Sequence, residues 1–375
     1  MNVLFFTSYG DLYGSNRSLL SLAIQLQNKG HVVSVFVPRK GELLTCLRNA
    51  GVKVIYVPFY SGFLYYKFLL KHIIIPALFF LNIFVFPIVL FKAWRVRPDV
   101  IYSNSSLENV GIFIACLLGK KHICHIREFM SLDYNARFVF GESAKKRFIG
   151  LSDGVIFVSH AVKNYVCSGS FQKPFSIIYN GIKMPKALAE KENLNLKSIR
   201  FGLVGIFDEA KGQHVAVEYF SRILETYPDA TLHLFGDKDC GYKKKVEQLI
   251  KTLGLERKVV FHGFVFQSDI IYNSIDILLM FSKSEGFGRV TVEAMSYGVP
   301  VIGFDNAGTS EIIKDHHSGC LFHDYSSFEK SINYLTSSME NYNKIRINGY
   351  ERIKNDFAEN DYIDNVERFI KSIIY

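Results

Sequence analysis

At 375 residues, 49% of them hydrophobic and 21% charged, the chain has room for two domains with cores of their own and is too apolar to be disordered. Its net charge of +9 is unevenly spread, because residues 1–183 hold 21 Lys and Arg against 8 Asp and Glu while the remainder holds 23 against 27, giving +13 and −4. The 6 cysteines lack any Cys-x-x-Cys pair, and no helix-turn-helix, finger or base-stacking motif accompanies the basic half, which argues against a zinc or disulfide framework and against nucleic acid as a partner.

Residues 1–9 carry no basic flank and no cleavage-like site, so they read as a first strand instead of a signal peptide, and a cytoplasmic location is expected. Short β-branched runs that end in small or polar residues alternate with helical stretches, the pattern of parallel βαβ units. Strands are predicted near 3–8, 32–38, 53–58, 100–105, 121–127, 154–159 and 176–179. Between the third and fourth of these lies Ile73 to Phe91, 19 residues without a charge, bracketed by Lys67, Lys71 and His72 and by Lys92, Arg95 and Arg97. As a helix it reaches about 28 Å, close to the hydrocarbon thickness of about 30 Å. Pro76, Asn82 and Pro87 interrupt it, however, and a single crossing would place strands of one sheet on opposite sides of the bilayer. The reading is therefore a membrane-associating segment over 63–96, interfacial or re-entrant, ahead of a buried core insertion or a span. The protein is then peripheral or monotopic on the inner face of the plasma membrane.

A polar, unpatterned stretch over 184–198 reads as a linker. The second set of strands is predicted at 201–205, 231–235, 259–262, 277–281 and 300–304, with helices such as 211–226 and 241–253 between them. The chain thus divides into an N-terminal domain 1–183, the linker, a C-terminal domain 199–357 and a last helix 358–375. In that helix Val366, Phe369, Ile370 and Ile373 share one face, and it is expected to pack across the domains.

Ligands of such sheets sit beyond the carboxyl ends of the strands. Two corners there carry chemistry. In Phe201 to Gly212 (FGLVGIFDEAKG) a strand ends at Gly205 and a helix opens near Lys211, offering unpaired N–H groups and a point charge to a diphosphate. Taken alone it is no more than an ordinary strand-to-helix turn with a lysine. The second corner, Phe281 to Pro300, places Glu285 and Glu293 on either side of Gly286, Phe287, Gly288 and Arg289. Two carboxylates eight residues apart can accept hydrogen bonds from the hydroxyls of a sugar and a ribose, and the glycines allow backbone N–H groups to approach a phosphate.

The string EGFGRVTVEAMSYGVPVIGFD resembles the signature of Glu, seven residues, Glu in retaining glycosyltransferases, most closely family 4 enzymes of bacterial polysaccharide biosynthesis, with the GT-B fold. Other stretches agree in order: Tyr13 to Ser18 with a glycine loop reduced to Gly14 beside Ser15, Cys124 to Glu128 with a strand carrying an active-site histidine, here His125, and Tyr179 to Ile182 with the end of the first domain. Phe261 to Val265 resembles the loop that meets the base, with Gly263, Phe264 and Val265, and Asn306 to Glu311 follows the last donor-side strand. One departure is Ile206, where many members carry an arginine paired with the lysine, so that Lys211 has to act with Arg289 or backbone amides.

The resemblance implies an α/β GT-B protein, two Rossmann-like domains facing across a cleft. It implies transfer of a hexose from a nucleoside diphosphate sugar, with retention, to a polyprenyl-diphosphate-linked saccharide at an anionic membrane surface, as in lipopolysaccharide or capsule synthesis. Glu285, His125 and Lys211 are implied as catalytic. Donor-binding residues are Gly14, Ser15, Gly205, Lys211, Gly263, Phe264, Val265, Glu285, Gly286, Phe287, Gly288, Arg289 and Glu293. No cofactor is implied beyond the donor substrate, and no metal: Asp237-Lys-Asp239 reads as a solvated turn, and the histidines lack ligand spacing. An epimerase of the same fold and a non-catalytic sugar-nucleotide-binding protein are the alternatives.

Overall fold

The computed structural model describes residues 1–60, 63–65, 77, 80–129, 131–134, 136–138, 140–167, 171–185, 188, 194–237 and 241–375. Lys67, Lys71, His72 and Pro76, much of the apolar run before Phe80, most of the predicted linker, and Cys240 with the Lys-Asp pair before it lie outside the described residues. The chain forms two compact units, Met1–Gly181 with Asn360–Tyr375, and Ile182–Glu359.

In the first unit the strands are β1 (Asn2–Phe6), β2 (Val32–Val37), β3 (Lys53–Tyr56), β4 (Phe63–Tyr65), β5 (Val100–Ser103), β6 (Lys121–Ile126), β7 (Ala136–Phe138), β8 (Gly154–Phe157) and β9 (Phe175–Ile177). Seven of them form a sheet in the order β3-β2-β1-β5-β6-β8-β9, every pair parallel, while β4 and β7 pair antiparallel on their own. Near-continuous apolar strands such as β1 and β5 are what a sheet covered on both faces requires. The helix Gly14–Asn28 buries Leu19, Leu22, Ala23 and Leu26, spaced i, i+3, i+4 and i+7, against one face. The other face is covered by the helix Asn82–Val96, whose Val89, Ala93 and Val96 pack with Phe36, Ile101, Val110 and Ile114. Asn82 fixes the start of that helix by exchanging two hydrogen bonds of 2.8 Å with the Tyr60 backbone. It stops at Arg97, in the left-handed region at φ 52, immediately before Pro98, a position where helical geometry is disfavoured. Among the described residues no helix is long and apolar enough to cross a membrane.

The second unit carries β10 (Arg200–Val204), β11 (Thr231–Phe235), β12 (Val259–Gly263), β13 (Ile277–Met280), β14 (Val301–Phe304) and β15 (Cys320–Phe322), all parallel in the order β12-β11-β10-β13-β14-β15. Its core is built from Phe201, Leu203, Phe220, Leu232, Ile277, Leu279 and Phe328. Both sheets share one feature that matters for function. From β1 the chain moves outward to β2 and β3 and then returns to β5 on the other side; from β10 it moves to β11 and β12 and returns to β13. The reversals place a topological switch point between β1 and β5 and another between β10 and β13.

The last helix, Glu359–Ile374, belongs to the first unit, where Tyr362, Ile363, Val366 and Ile370 join the core beside β1, β2 and β5. Gly154 of β8 makes room for it, because a Cβ there would stand 2.8 Å from Ile373. At its outer edge Glu367 accepts hydrogen bonds from Lys29 at 2.9 Å and Lys371 at 2.6 Å and lies 3.0 Å from the His31 ring. These donors outweigh its desolvation and hold its carboxyl down at about 2. A depressed carboxylate contributes stability that is complete above its unfolded value near 4.5 and is lost as pH falls toward 2. Acid unfolding of Glu367→Gln is therefore expected to lose part of the wild-type slope between about pH 4.5 and 2, measured by circular dichroism across a pH series. Equal slopes would show that the carboxylate does not anchor the helix.

Candidate active site

At the switch point of the second sheet, Gly205 follows β10, and its N–H donates to the Phe235 carbonyl of β11 at 2.8 Å. Gly236, just past β11, donates to the Gly263 carbonyl at 2.7 Å, and a Cβ on Gly236 would lie 2.0 Å from the Gly205 carbonyl oxygen. Only glycine allows backbones to close in this way, so the ends of β10, β11 and β12 converge. After Gly205 the chain makes a short 3-10 turn, Glu209–Lys211, capped by Asp208, whose side chain accepts from the Ala210 N–H at 3.2 Å. Gly212 then takes φ 72 and opens the helix Gln213–Ile223; a Cβ there would meet the Phe281 carbonyl oxygen at 2.7 Å. The turn is thus pressed against the end of β13.

From β13 the loop runs through Phe281 to Gly288, which takes φ 98 as N-cap of the helix Arg289–Ser296. The two corners meet where Lys211 Nζ donates to Glu285 Oε1 at 2.5 Å, with the Glu285 side chain largely buried and that of Lys211 partly exposed. The Lys283 N–H donates to the Ala210 carbonyl at 3.3 Å, a second tie between turn and loop. One helical turn on, Arg289 Nε donates to Glu293 Oε1 at 2.7 Å and the Tyr272 hydroxyl to Glu293 Oε2 at 3.2 Å. Lys211, expected to act with Arg289 or backbone amides on the diphosphate, is paired with Glu285, and Arg289 with Glu293. The Phe287 side chain is buried, 6.0 Å from the Phe357 ring, so at that position the loop offers backbone. Beyond β12, Gly263 takes φ 67 and Phe264 is exposed.

The other candidate residues lie in the first unit. Gly14 and Ser15 open the helix after β1, and the Ser15 carbonyl accepts from Asn104 Nδ2, just past β5, at 3.2 Å across that sheet's switch point. His125, in β6, is wholly buried, its Nδ1 lying 2.6 Å from the Tyr102 hydroxyl. Burial, with the Arg127 charge nearby, holds its pKa well below the usual value, so the ring is neutral.

Sequence reasoning missed the polar network around it. Arg127 donates to the Asn104 carbonyl and side chain, each at 3.1 Å, to Asn180, and to the Tyr362 hydroxyl at 2.9 Å, tying the ends of three strands to the last helix. Glu128 accepts from Ser105 and Ser106 hydroxyls at 2.8 Å. Glu108, raised by burial to about 7, accepts from Ser103 at 2.6 Å, and the Ser103 hydroxyl lies 2.9 Å from His122, which burial holds near 3. The signal was the polar run Ser103 to Ser106 directly after an apolar strand, and the Arg127-Glu128 pair beside the histidine already singled out.

Residues 13–184 match the model described as Glycosyltransferase Family 4, and residues 186–352 the model of Glycosyl transferases group 1. Each half of the chain thus resembles one domain of the family 4 glycosyltransferases. Among curated relatives, an uncharacterized glycosyltransferase of Methanocaldococcus jannaschii is 34% identical over 183 residues, 44% of this chain and 45% of that protein. The spore coat protein SA of Bacillus subtilis is 31% identical over 160 residues, 40% of this chain and 42% of that one. The chain therefore spans less than half the length of these relatives. Over the whole length, the Anabaena protein HepE solved with UDP superposes with a TM-score of 0.80 at 22% identity, covering 99% of this chain and 100% of that one. The sucrose-phosphate synthase of Thermosynechococcus elongatus superposes with a TM-score of 0.76 at 18% identity, covering 100% and 99%. These likenesses show the GT-B fold.

Proposed function

We propose that this family 4 glycosyltransferase moves a hexose from a nucleoside diphosphate sugar, with retention and without a metal ion, to a polyprenyl-diphosphate-linked saccharide at the cytoplasmic face of a membrane. The observation that carries the reading is the meeting of Lys211 and Glu285 at the switch point between β10 and β13. In the reaction the bond from C1 to the diphosphate oxygen breaks, the acceptor oxygen bonds to C1 on the same face, and the acceptor's proton passes to the departing diphosphate. Developing diphosphate charge is the main difficulty, and preorganised cations and N–H groups aimed at it are commonly the largest catalytic term. Lys211 and the loop amides of Gly286 to Gly288 are suited to that task, while Glu285 orients the transferred sugar and Glu293 accepts from the ribose. The likeness to HepE supports a uridine donor, since HepE was solved with UDP and with UDP-glucose.

A thermal-shift screen of nucleoside diphosphates and their sugars tests the donor half of the reading. Ligand at about a hundred times its Kd stabilises by about 2.7 kcal/mol, so UDP or a UDP-sugar is expected to raise the melting temperature by several degrees, unchanged by EDTA. Absence of any shift across the panel would remove the donor assignment. Retention is read from the anomeric proton coupling of the product.

A further inference from the structure

The helix Asn82–Val96 covers the first sheet with only one of its faces. The opposite face leaves Ile83 67%, Phe84 77%, Ile88 51%, Phe91 55% and Trp94 59% exposed, with Phe80 exposed one turn earlier. Such spacing puts these side chains on a single stripe. A stripe of six large apolar residues is more than the scattered surface hydrophobics of an ordinary soluble domain. It needs a cover.

We infer that this stripe is a bilayer-docking surface on which the helix lies in the plane of an anionic membrane interface. The inference refines the membrane part of the proposed function and rests on that reading, but not on the donor chemistry. Charge decides between lipid and a second copy of the chain. Lys92, Arg95 and Arg97 cluster at the C-terminal end of the stripe, Arg95 lying 5.9 Å from the Phe91 ring centre, and no acid occurs between Glu42 and Asp99. Two copies joined through this face would bring like charges together if parallel and leave them without counter-charge if antiparallel, whereas anionic headgroups neutralise them. Trp94 beside these cations suits the interfacial layer, where an aromatic ring keeps its apolar body in the acyl boundary and its N–H at the headgroups. Arg and Lys stems reach outward from the same depth. Because Asn82 pins one end and Val89, Ala93 and Val96 pin the underside, the stripe is presented already formed. No folding on contact is needed.

The test is cosedimentation of the full chain with vesicles of phosphatidylcholine containing phosphatidylglycerol, and with phosphatidylcholine alone. Binding is expected to the anionic vesicles, weaker to the neutral ones, and falling as salt screens the cations. Phe84→Glu with Phe91→Glu is expected to lower partitioning about a hundredfold, and Lys92→Gln with Arg95→Gln and Arg97→Gln about tenfold or more. Circular dichroism and the UDP thermal shift of each variant separate loss of docking from loss of fold or donor site. The inference is overturned if the wild-type chain stays in solution with both vesicle types, or if the variants bind as wild type does. It is also overturned if sedimentation shows a dimer that Phe84→Glu dissolves and the vesicles capture nothing, since the stripe would then belong to a second copy.

Discussion

Glu285→Gln and Lys211→Ala are each expected to reduce transfer by roughly thirtyfold to a thousandfold while leaving the fold intact, the range that loss of one preorganised contact to a developing charge costs, about 2–4 kcal/mol. Stability is expected to change far less, because a partly exposed ion pair at the mouth of a loop contributes at most about 1 kcal/mol. The two variants should part company in donor affinity. In the free protein Lys211 is held by Glu285 at 2.5 Å, and a diphosphate has to compete for it. Removing the carboxylate charge removes this competitor of the diphosphate, so Glu285→Gln should bind UDP as well as wild type or better, whereas Lys211→Ala should bind it more weakly. Calorimetric titration with UDP, beside turnover with a sugar donor, checks both. If the variants lose UDP affinity together, the pair is acting as a brace for the loop. Turnover of both within twofold of wild type would end the site assignment.

Much of this was legible because parallel sheets advertise themselves. Runs such as Val32–Val37 and Ile277–Met280 are short and rich in β-branched or aliphatic residues, which favours strand over helix, and every strand predicted from such a run is present. Among the described residues, the three strands that escaped prediction are three residues long each, Phe63–Tyr65, Ala136–Phe138 and Cys320–Phe322, too short for periodicity to register. The site was legible where glycine and charge coincide, since Gly212 and Gly288 take left-handed angles at the two corners that bring Lys211 to Glu285. Pairing across the fold was not. Nothing local in the sequence says that Arg127 joins Asn104, Asn180 and Tyr362, residues up to 235 positions away. A side chain's partner is decided by strand order, and strand order is a property of the whole sheet. His125 shows the same limit: in sequence it is a polar residue near a strand end, and in the fold complete burial and the Arg127 charge keep it neutral beside the Tyr102 hydroxyl.

The Asn306 to Gly308 corner, after β14, is expected to control where Glu285 sits. The Gly308 N–H donates to the Glu285 carbonyl at 2.9 Å, and the Asn306 side chain donates to the Lys283 carbonyl. Ala307 between them is held at φ 50, where an L side chain is strained by about 1 kcal/mol or more. The helix Ala307–Ile312 is fixed at its far end by Arg352, which donates to the Glu311 carbonyl at 2.8 Å and to that of Ile312, so the corner cannot relax by sliding. A Cβ on Gly308 would fall 2.4 Å from the Phe287 carbonyl oxygen and 2.8 Å from that of Glu285, both backbone atoms. Gly308→Ala must therefore push the loop away. Overpacking of this kind costs about 1–3 kcal/mol, and a misplacement approaching 1 Å at a reacting centre costs about a hundredfold in rate. The variant should melt several degrees lower and turn over about tenfold to a hundredfold more slowly. Ala307→Gly should do the opposite to stability, since glycine tolerates the left-handed angle; the relief, less the added chain entropy, leaves a gain of up to about 1 kcal/mol. Its turnover should stay close to wild type, because the hydrogen bonds to Lys283 and Glu285 remain. Melting curves and donor kinetics on the pair separate the two effects, and a folded Gly308→Ala enzyme with wild-type kcat would show that Glu285 is positioned by its own loop and by Lys211 alone.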